Sequence, residues 1–336
     1  MNNTLATTLK SLTAKGKGLL AADESSKTIE KRFAAVQVDC TEENRRAYRE
    51  LLFTTPDLEK QVSGVILFEE TLLQKTAQGV PFPVYLAQKG IIPGIKVDKG
   101  LVPFESSSEE QITQGLDGLP ERLAEYKKQG AQFAKWRAVY PISGTNPSRI
   151  LIKTHAMLLA RYAKICQNLS IIPIVEPEVL MDGDHTIEQC AEVTEKVQRA
   201  VFKALFQYNV QCEYILLKPN MVIAGKSCPS QATVDQAAKM TVRILRRTVP
   251  AAVPSINFLS GGQSDKTATA HLNRINQQGN QPWSLSFSYA RALQEACLKT
   301  WKGKPENIAA AQQALLKRAQ LNSAASLGQY NESMES

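Results

Sequence analysis

The stretch EYILLKPNM (213–221) sets a short apolar run against a lysine, Lys218, and then a proline. Residues 214–217 read as a buried strand. An unpartnered ammonium at the end of such a run costs several kcal/mol to bury, and the usual escape is to lose the proton. A neutral lysine is a nucleophile.

The same phrase recurs along the chain. GLLAADES (18–25), GVILFEE (64–70), GIIPGIKVD (90–98) and QFAKWRAVY (132–140) precede it in kind, with IIPIVEPEV (171–179), SINFLSGG (255–262) and WSLSFSYAR (283–291) completing eight runs that end in polar or charged residues. Between them lie segments with helical spacing, such as Val234, Ala237, Ala238, Thr241 and Leu245. The repeat of about 40 residues is the length of a βα unit with its loops. Eight such units predict an α/β fold, a TIM (β/α)8 barrel with extra terminal helices, whose chemistry sits at the carboxyl ends of the strands. The alternative, an open doubly wound sheet, needs a glycine-rich first turn that is missing here. PENIAAAQQALLKRAQLNSAAS (305–326) predicts a further helix. The expected organisation is a single domain over residues 1–325 and a mobile polar tail over 326–336.

A hydrophobic share of 43% and a charged share of 21% exclude a disordered or collagen-like chain. The opening lacks a signal-type apolar segment and no run reaches the roughly 18 apolar residues of a membrane span, so a cytoplasmic protein is expected. Six single cysteines, without CxxC pairs, fit a reducing compartment better than a zinc site or a disulfide scaffold. The net charge of +8 suits an anionic partner. Basic residues cluster only in pairs such as Arg45-Arg46 and Arg246-Arg247, which favours a phosphorylated metabolite over nucleic acid. Two apparent nucleotide motifs fail on context: Gly16-Lys17-Gly18 precedes its strand, and Gly225-Lys226-Ser227 has Asn220 where a phosphate loop needs glycine.

Residues two apart on a strand share a face, which pairs Lys96 with Asp98, Lys135 with Arg137 and Glu176 with Glu178. Any one pair reads equally as a solvated strand end or a structural ion pair. Their recurrence near the same ends of five strands, with Asp23 and Lys218, points to a site. An imine formed by Lys218 needs a carboxyl group to move protons, and Glu176 is placed for it, with Glu178 expected to raise one carboxylate's pKa by repulsion. FLSGGQS (258–264) and Arg291 supply glycine N–H groups and a guanidinium of the kind that binds phosphate.

GKGLLAADES, GIKVDKG, FAKWR, VEPEVL, LLKPNM, FLSGGQS and FSYARAL, in this order, resemble the motifs of class I fructose-bisphosphate aldolases, and the resemblance runs over roughly residues 8–325. It implies a metal-independent, cofactor-free cleavage of fructose 1,6-bisphosphate to dihydroxyacetone phosphate and glyceraldehyde 3-phosphate, with sedoheptulose 1,7-bisphosphate as a possible second substrate. Lys218 matches the Schiff-base lysine, Glu176 the acid/base with Glu178 as companion, Asp23 the aspartate serving the hydroxyl next to the cleaved bond, and Lys135 the neighbouring cation. Ser260, Gly261 and Arg291 match the pocket for the phosphate nearer the ketone; Lys96, Arg137, Ser25 and Arg32 match the far one. The resemblance also implies a homotetramer, with no nucleic-acid or membrane partner. His155, His185 and His271 stand on separate segments, so no metal is expected. Departures are Ala290 where many members have glycine, Thr28 where serine is frequent, and Ser336 where many end in a tyrosine that protonates the enamine. A transaldolase-like enzyme with one phosphate pocket and a basic scaffold for acidic partners are the alternatives.

Overall fold

A strand that helps close a barrel carries alternate side chains inward, and here those inward columns change character along their length. The computed structural model describes residues 3–105, 109–145 and 147–336. Its strands β1 (Gly18–Ala22), β2 (Val62–Leu67), β3 (Ile92–Lys96), β4 (Phe133–Tyr140), β5 (Ile172–Val179), β6 (Leu216–Leu217), β7 (Ser255–Phe258) and β8 (Ser284–Tyr289) pair in parallel, and β8 returns to β1 to close the barrel. The predicted (β/α)8 architecture is what forms.

The lower inward residues are apolar: Leu19 and Ala21 on β1, Ile66 on β2, Phe133 on β4, Ile172 and Ile174 on β5, and Leu216 on β6 cluster with Leu5, Leu9 and Leu12 of the helix Asn3–Leu12, which plugs that end. Continuing upward by twos, the same columns reach Asp23, Lys135, Glu176 and Lys218. The Phe133 ring fills the bottom against a glycine: a Cβ on Gly94 would meet it at 2.3 Å, and on the outer face of the sheet one on Gly18 would meet the Phe287 ring at 2.6 Å, so these strands keep glycine to admit the aromatics.

The outward residues, among them Trp136, Val175, Leu217 and Phe258, are buried beneath the surrounding helices in the larger core. Helices Arg149–Asn168, Ile187–Gln207 and Val234–Thr248 start at Ser148, Thr186 and Thr233, whose hydroxyls each accept the N–H three residues on. Thr186 with Gln189 and Thr233 with Gln236 are reciprocal capping boxes. A two-stranded hairpin, Leu101–Pro103 with Gln111–Thr113, interrupts the alternation after β3.

Two expectations need correction. The run 213–220 is not one strand: Cys212–Tyr214 is a 3-10 turn and β6 has only Leu216 and Leu217. Lys218 still extends the ladder by donating its N–H to Val175 O at 2.8 Å, but Pro219 has no N–H to continue it. Asn220 then takes over, accepting the Val179 N–H at 3.0 Å through its side chain. The tail expected to be mobile is anchored. Tyr330 is buried and donates its N–H to Asn273 at 3.0 Å, and Glu335 accepts from Arg318 at 2.6 and 2.7 Å. The helix Ile308–Ser326 buries the Arg318 guanidinium, and a buried cation draws in an anion.

Candidate active site

At the carboxyl ends of the strands, four buried charges form a line. Lys218 Nζ lies 2.9 Å from Glu176 Oε1, Lys135 Nζ lies 3.2 Å from Glu176 Oε2, and the same Lys135 Nζ lies 2.7 Å from Asp23 Oδ2. Each residue is no more than 9% exposed. Cation and anion alternate along the line, so each carboxylate has an ammonium within reach and none of the four is buried without a counter-charge.

Burial by itself pushes the Asp23 carboxyl up, but the ammonium groups of Lys135 and Lys218 outweigh it and hold the group well below the usual carboxylate range. Glu176 follows the same logic: burial raises it, while Lys135, Lys218 and Arg137 bring it below its ordinary value. The expected repulsion from Glu178 does not govern, because Glu178 accepts from Arg137 Nε at 2.5 Å. For Lys135, burial lowers the pKa, and the opposing pull of Asp23, Glu176 and Asp98 raises it above the ordinary lysine value. Lys135 is therefore a fixed cation.

Two polar ends flank this line. On one side Lys96 pairs with Asp98 at 3.2 Å, Arg137 with Glu178, and Arg32 with Glu24, while Ser25 and Thr28 share a hydroxyl contact of 3.1 Å. Glu24 is held in turn by Arg49 at 2.8 Å and by Gln294 Nε2 at 3.0 Å. On the other side the loop after β7 turns at Gly261 and Gly262, whose φ values of 58° and 95° favour glycine, and Arg291 Nη2 donates to Gly262 O at 2.5 Å. Ala290 has φ −99°, outside the left-handed region that would call for glycine.

All twelve residues singled out from the sequence (Asp23, Ser25, Arg32, Lys96, Lys135, Arg137, Glu176, Glu178, Lys218, Ser260, Gly261 and Arg291) line one cavity of about 660 Å³. Its wall also includes Asp98 and Gly262, which stand in the charged pairs and the FLSGGQS motif read above, and Glu24, Lys226 and Ser288, to which the sequence had assigned no role. The signal for Ser288 was the polar alternation of SLSFSY. Lys226 belongs to the rejected GKS loop. The backbone N–H groups of Gly225, Lys226 and Ser227 go to the carbonyls of His185, Met181 and Gly183 at 2.8 to 2.9 Å, which leaves none to cradle phosphate. Seven cations face six carboxylates around this cavity, so an incoming polyanion finds most cations already paired.

The family model for Fructose-bisphosphate aldolase class-I matches residues 4–336. The chain belongs to this family. A probable class 1 fructose-bisphosphate aldolase of Xanthomonas campestris is 55% identical over 327 residues, 97% of this chain and 98% of that protein. The cytosolic fructose-bisphosphate aldolase 4 of Arabidopsis thaliana is 56% identical over 316 residues, covering 94% of this chain and 80% of the relative. A solved Plasmodium falciparum fructose-bisphosphate aldolase, in complex with TRAP and a small-molecule inhibitor, superposes with a TM-score of 0.96 at 55% identity over 98% of this chain and 95% of that one. Class I aldolases work through a lysine Schiff base, and the line from Lys218 to Asp23 contains the groups such chemistry requires. Among the described residues no cluster of three or more His, Cys, Asp or Glu could hold a metal ion, and no helix is long and apolar enough to cross a membrane.

Proposed function

We propose that the protein cleaves fructose 1,6-bisphosphate reversibly to dihydroxyacetone phosphate and glyceraldehyde 3-phosphate, with Lys218 as the nucleophile. The observation that carries this reading is the 2.9 Å contact between Lys218 Nζ and Glu176 inside a cavity with cationic groups at both ends. Glu176 accepts the Lys218 proton, the free amine attacks the ketone, and the same carboxyl returns a proton to the departing carbinolamine oxygen. The product is a protonated imine, an electron sink.

Asp23 is then the base for the hydroxyl next to the bond that breaks. A carboxylate held so far below its ordinary pKa is a weak base, and the reaction itself removes part of the cause. As the bond between the third and fourth carbons breaks, its electron pair neutralises the iminium to an enamine, and the hydroxyl proton passes to Asp23 while the aldehyde forms. Of the positive charges depressing Asp23, those of Lys135, Lys218 and Lys96, one is Lys218's own. That charge disappears as the proton arrives, while Lys135 stays charged beside Asp23 and orients the hydroxyl.

Ser260, Gly261 and Arg291 hold the phosphate nearer the ketone. Lys96, Arg137, Ser25 and Arg32 hold the far one, which a monophosphate-only enzyme would not need. The same reading includes sedoheptulose 1,7-bisphosphate as a candidate substrate and a homotetramer working in the cytoplasm; six free thiols favour a reducing compartment. Borohydride added with dihydroxyacetone phosphate should inactivate the enzyme and label the peptide containing Lys218, and Lys218→Met should abolish both labelling and turnover. Label on another lysine, or normal turnover in the variant, would overturn the assignment.

A further inference from the structure

The phosphate loop after β7 is held from behind by two residues that do not line the active-site cavity. The Ser260 carbonyl accepts twice from Gln263, from its backbone N–H at 3.0 Å and from its side-chain Nε2 at 3.0 Å. The amide of Gln263 is fixed in turn, because His271 Nδ1 lies 2.5 Å from Gln263 Oε1. His271 sits on the helix Asp265–Asn276 and is 6% exposed, as is Gln263. Burial lowers the His271 pKa to about 4, so the ring is neutral near pH 7 and Nδ1 is the nitrogen that donates.

A trans peptide is planar, with its C=O and N–H pointing in opposite directions. Clamping the Ser260 carbonyl toward the protein therefore aims the Gly261 N–H the other way, toward the cavity that Ser260 and Gly261 line. The clamp is needed because Gly261 and Gly262, both at positive φ, leave this backbone the freedom to rotate. We propose that Gln263 and His271 are positioning residues for phosphate binding, acting in series to fix the Ser260–Gly261 peptide so that its N–H meets the phosphate nearer the ketone. This rests on reading Ser260, Gly261 and Arg291 as that phosphate's pocket.

The test compares Gln263→Met and His271→Leu, which keep bulk and remove the donors, with His271→Asn, whose amide nitrogen occupies the place of Nδ1. With fructose 1-phosphate, whose only phosphate is at the ketone end, KM should rise roughly three- to tenfold in the first two variants, the loss of one positioned hydrogen bond, with kcat within about twofold. Borohydride trapping of unphosphorylated dihydroxyacetone on Lys218 should be unchanged, and His271→Asn should restore KM. Unchanged KM in Gln263→Met, or trapping of dihydroxyacetone reduced as much as that of its phosphate, overturns the proposal. A His271→Leu chain that fails to fold leaves the decision to Gln263→Met. A wild-type enzyme that traps dihydroxyacetone as readily as its phosphate would instead defeat the phosphate-pocket reading itself.

Discussion

Among the described residues Lys135 is the one cation that contacts both Asp23 and Glu176, at 2.7 and 3.2 Å, which makes Lys135→Met the sharpest probe of the charge line. Methionine fills much the same volume, so the change removes a charge more than it opens a cavity. Two carboxylates then lose a partner at a position where burial already acts to raise them. Breaking a buried pair by removing one member costs about 3–5 kcal/mol when the survivor stays charged. The sign follows from the wild-type shifts. Asp23 and Glu176 both lie below their unfolded values, so their contribution to stability is full above the unfolded pKa near 4 and is lost as pH falls through the folded values. In the variant Glu176 keeps Lys218 at 2.9 Å, whereas Asp23 loses the ammonium that contacts it and burial raises its carboxyl; the folded chain then binds a proton the unfolded chain has released, and stability falls as pH rises from about 4 toward neutrality. From pH 4.5 to 7.5 the wild-type contribution is flat while the variant's stability declines, so the gap between the two proteins should widen over that range to about 3–5 kcal/mol at pH 7.5, roughly 6–10 °C in melting temperature at about 2 °C per kcal/mol. Trp136, buried beside Lys135 on β4, offers a fluorescence signal for the melt. A gap of equal size at both pH values would refute the reasoning, since it would mean that the loss is one of packing.

The barrel was legible because its pattern is local. Each strand is a short apolar run, and the period of two that places Ile172 and Ile174 in the core also places Glu176 and Glu178 above them. The line of buried charges could be foreseen for the same reason, as the upward continuation of columns that begin with Leu19, Phe133 and Leu216. What the sequence hid depends on distance across the fold. Glu178 was expected to raise a carboxylate beside it, yet its nearest charge is Arg137 on the neighbouring strand, a contact set by the β4 to β5 register. Glu24 was part of a recognised motif, but nothing local tells that Arg49, a helix away, closes a buried pair with it at 2.8 Å. The anchoring of the tail was hidden in the same way, since Arg318 reads as one more charge on a helix until its burial is known.

The remaining predictions concern the two ends of the barrel. Gly94→Ala puts a methyl carbon 2.3 Å from the Phe133 ring and should destabilise by about 1–3 kcal/mol, with Phe133→Leu in the same chain recovering part of the loss. A stability unchanged by Gly94→Ala would mean that the ring is not locked against β3. Arg318→Ala removes the partner of a Glu335 carboxylate that also accepts from the Tyr330 hydroxyl at 3.0 Å. Were the segment unable to leave, the uncompensated charge would cost as much as at Asp23. The tail has a cheaper course, because residues 327–336 can lift off and solvate Glu335, so the loss is capped at the docking energy of that segment. Helix Ile308–Ser326 keeps its contacts through Ala311, Leu315, Ala319 and Ala325, which are fully buried, so the barrel should remain folded. Hydrogen exchange should therefore rise across 327–336 while protection in β4 and β5 stays at the wild-type level. Retained protection at Tyr330, whose N–H is held by Asn273, would show that apolar packing alone fixes the tail and that the Arg318–Glu335 pair is incidental.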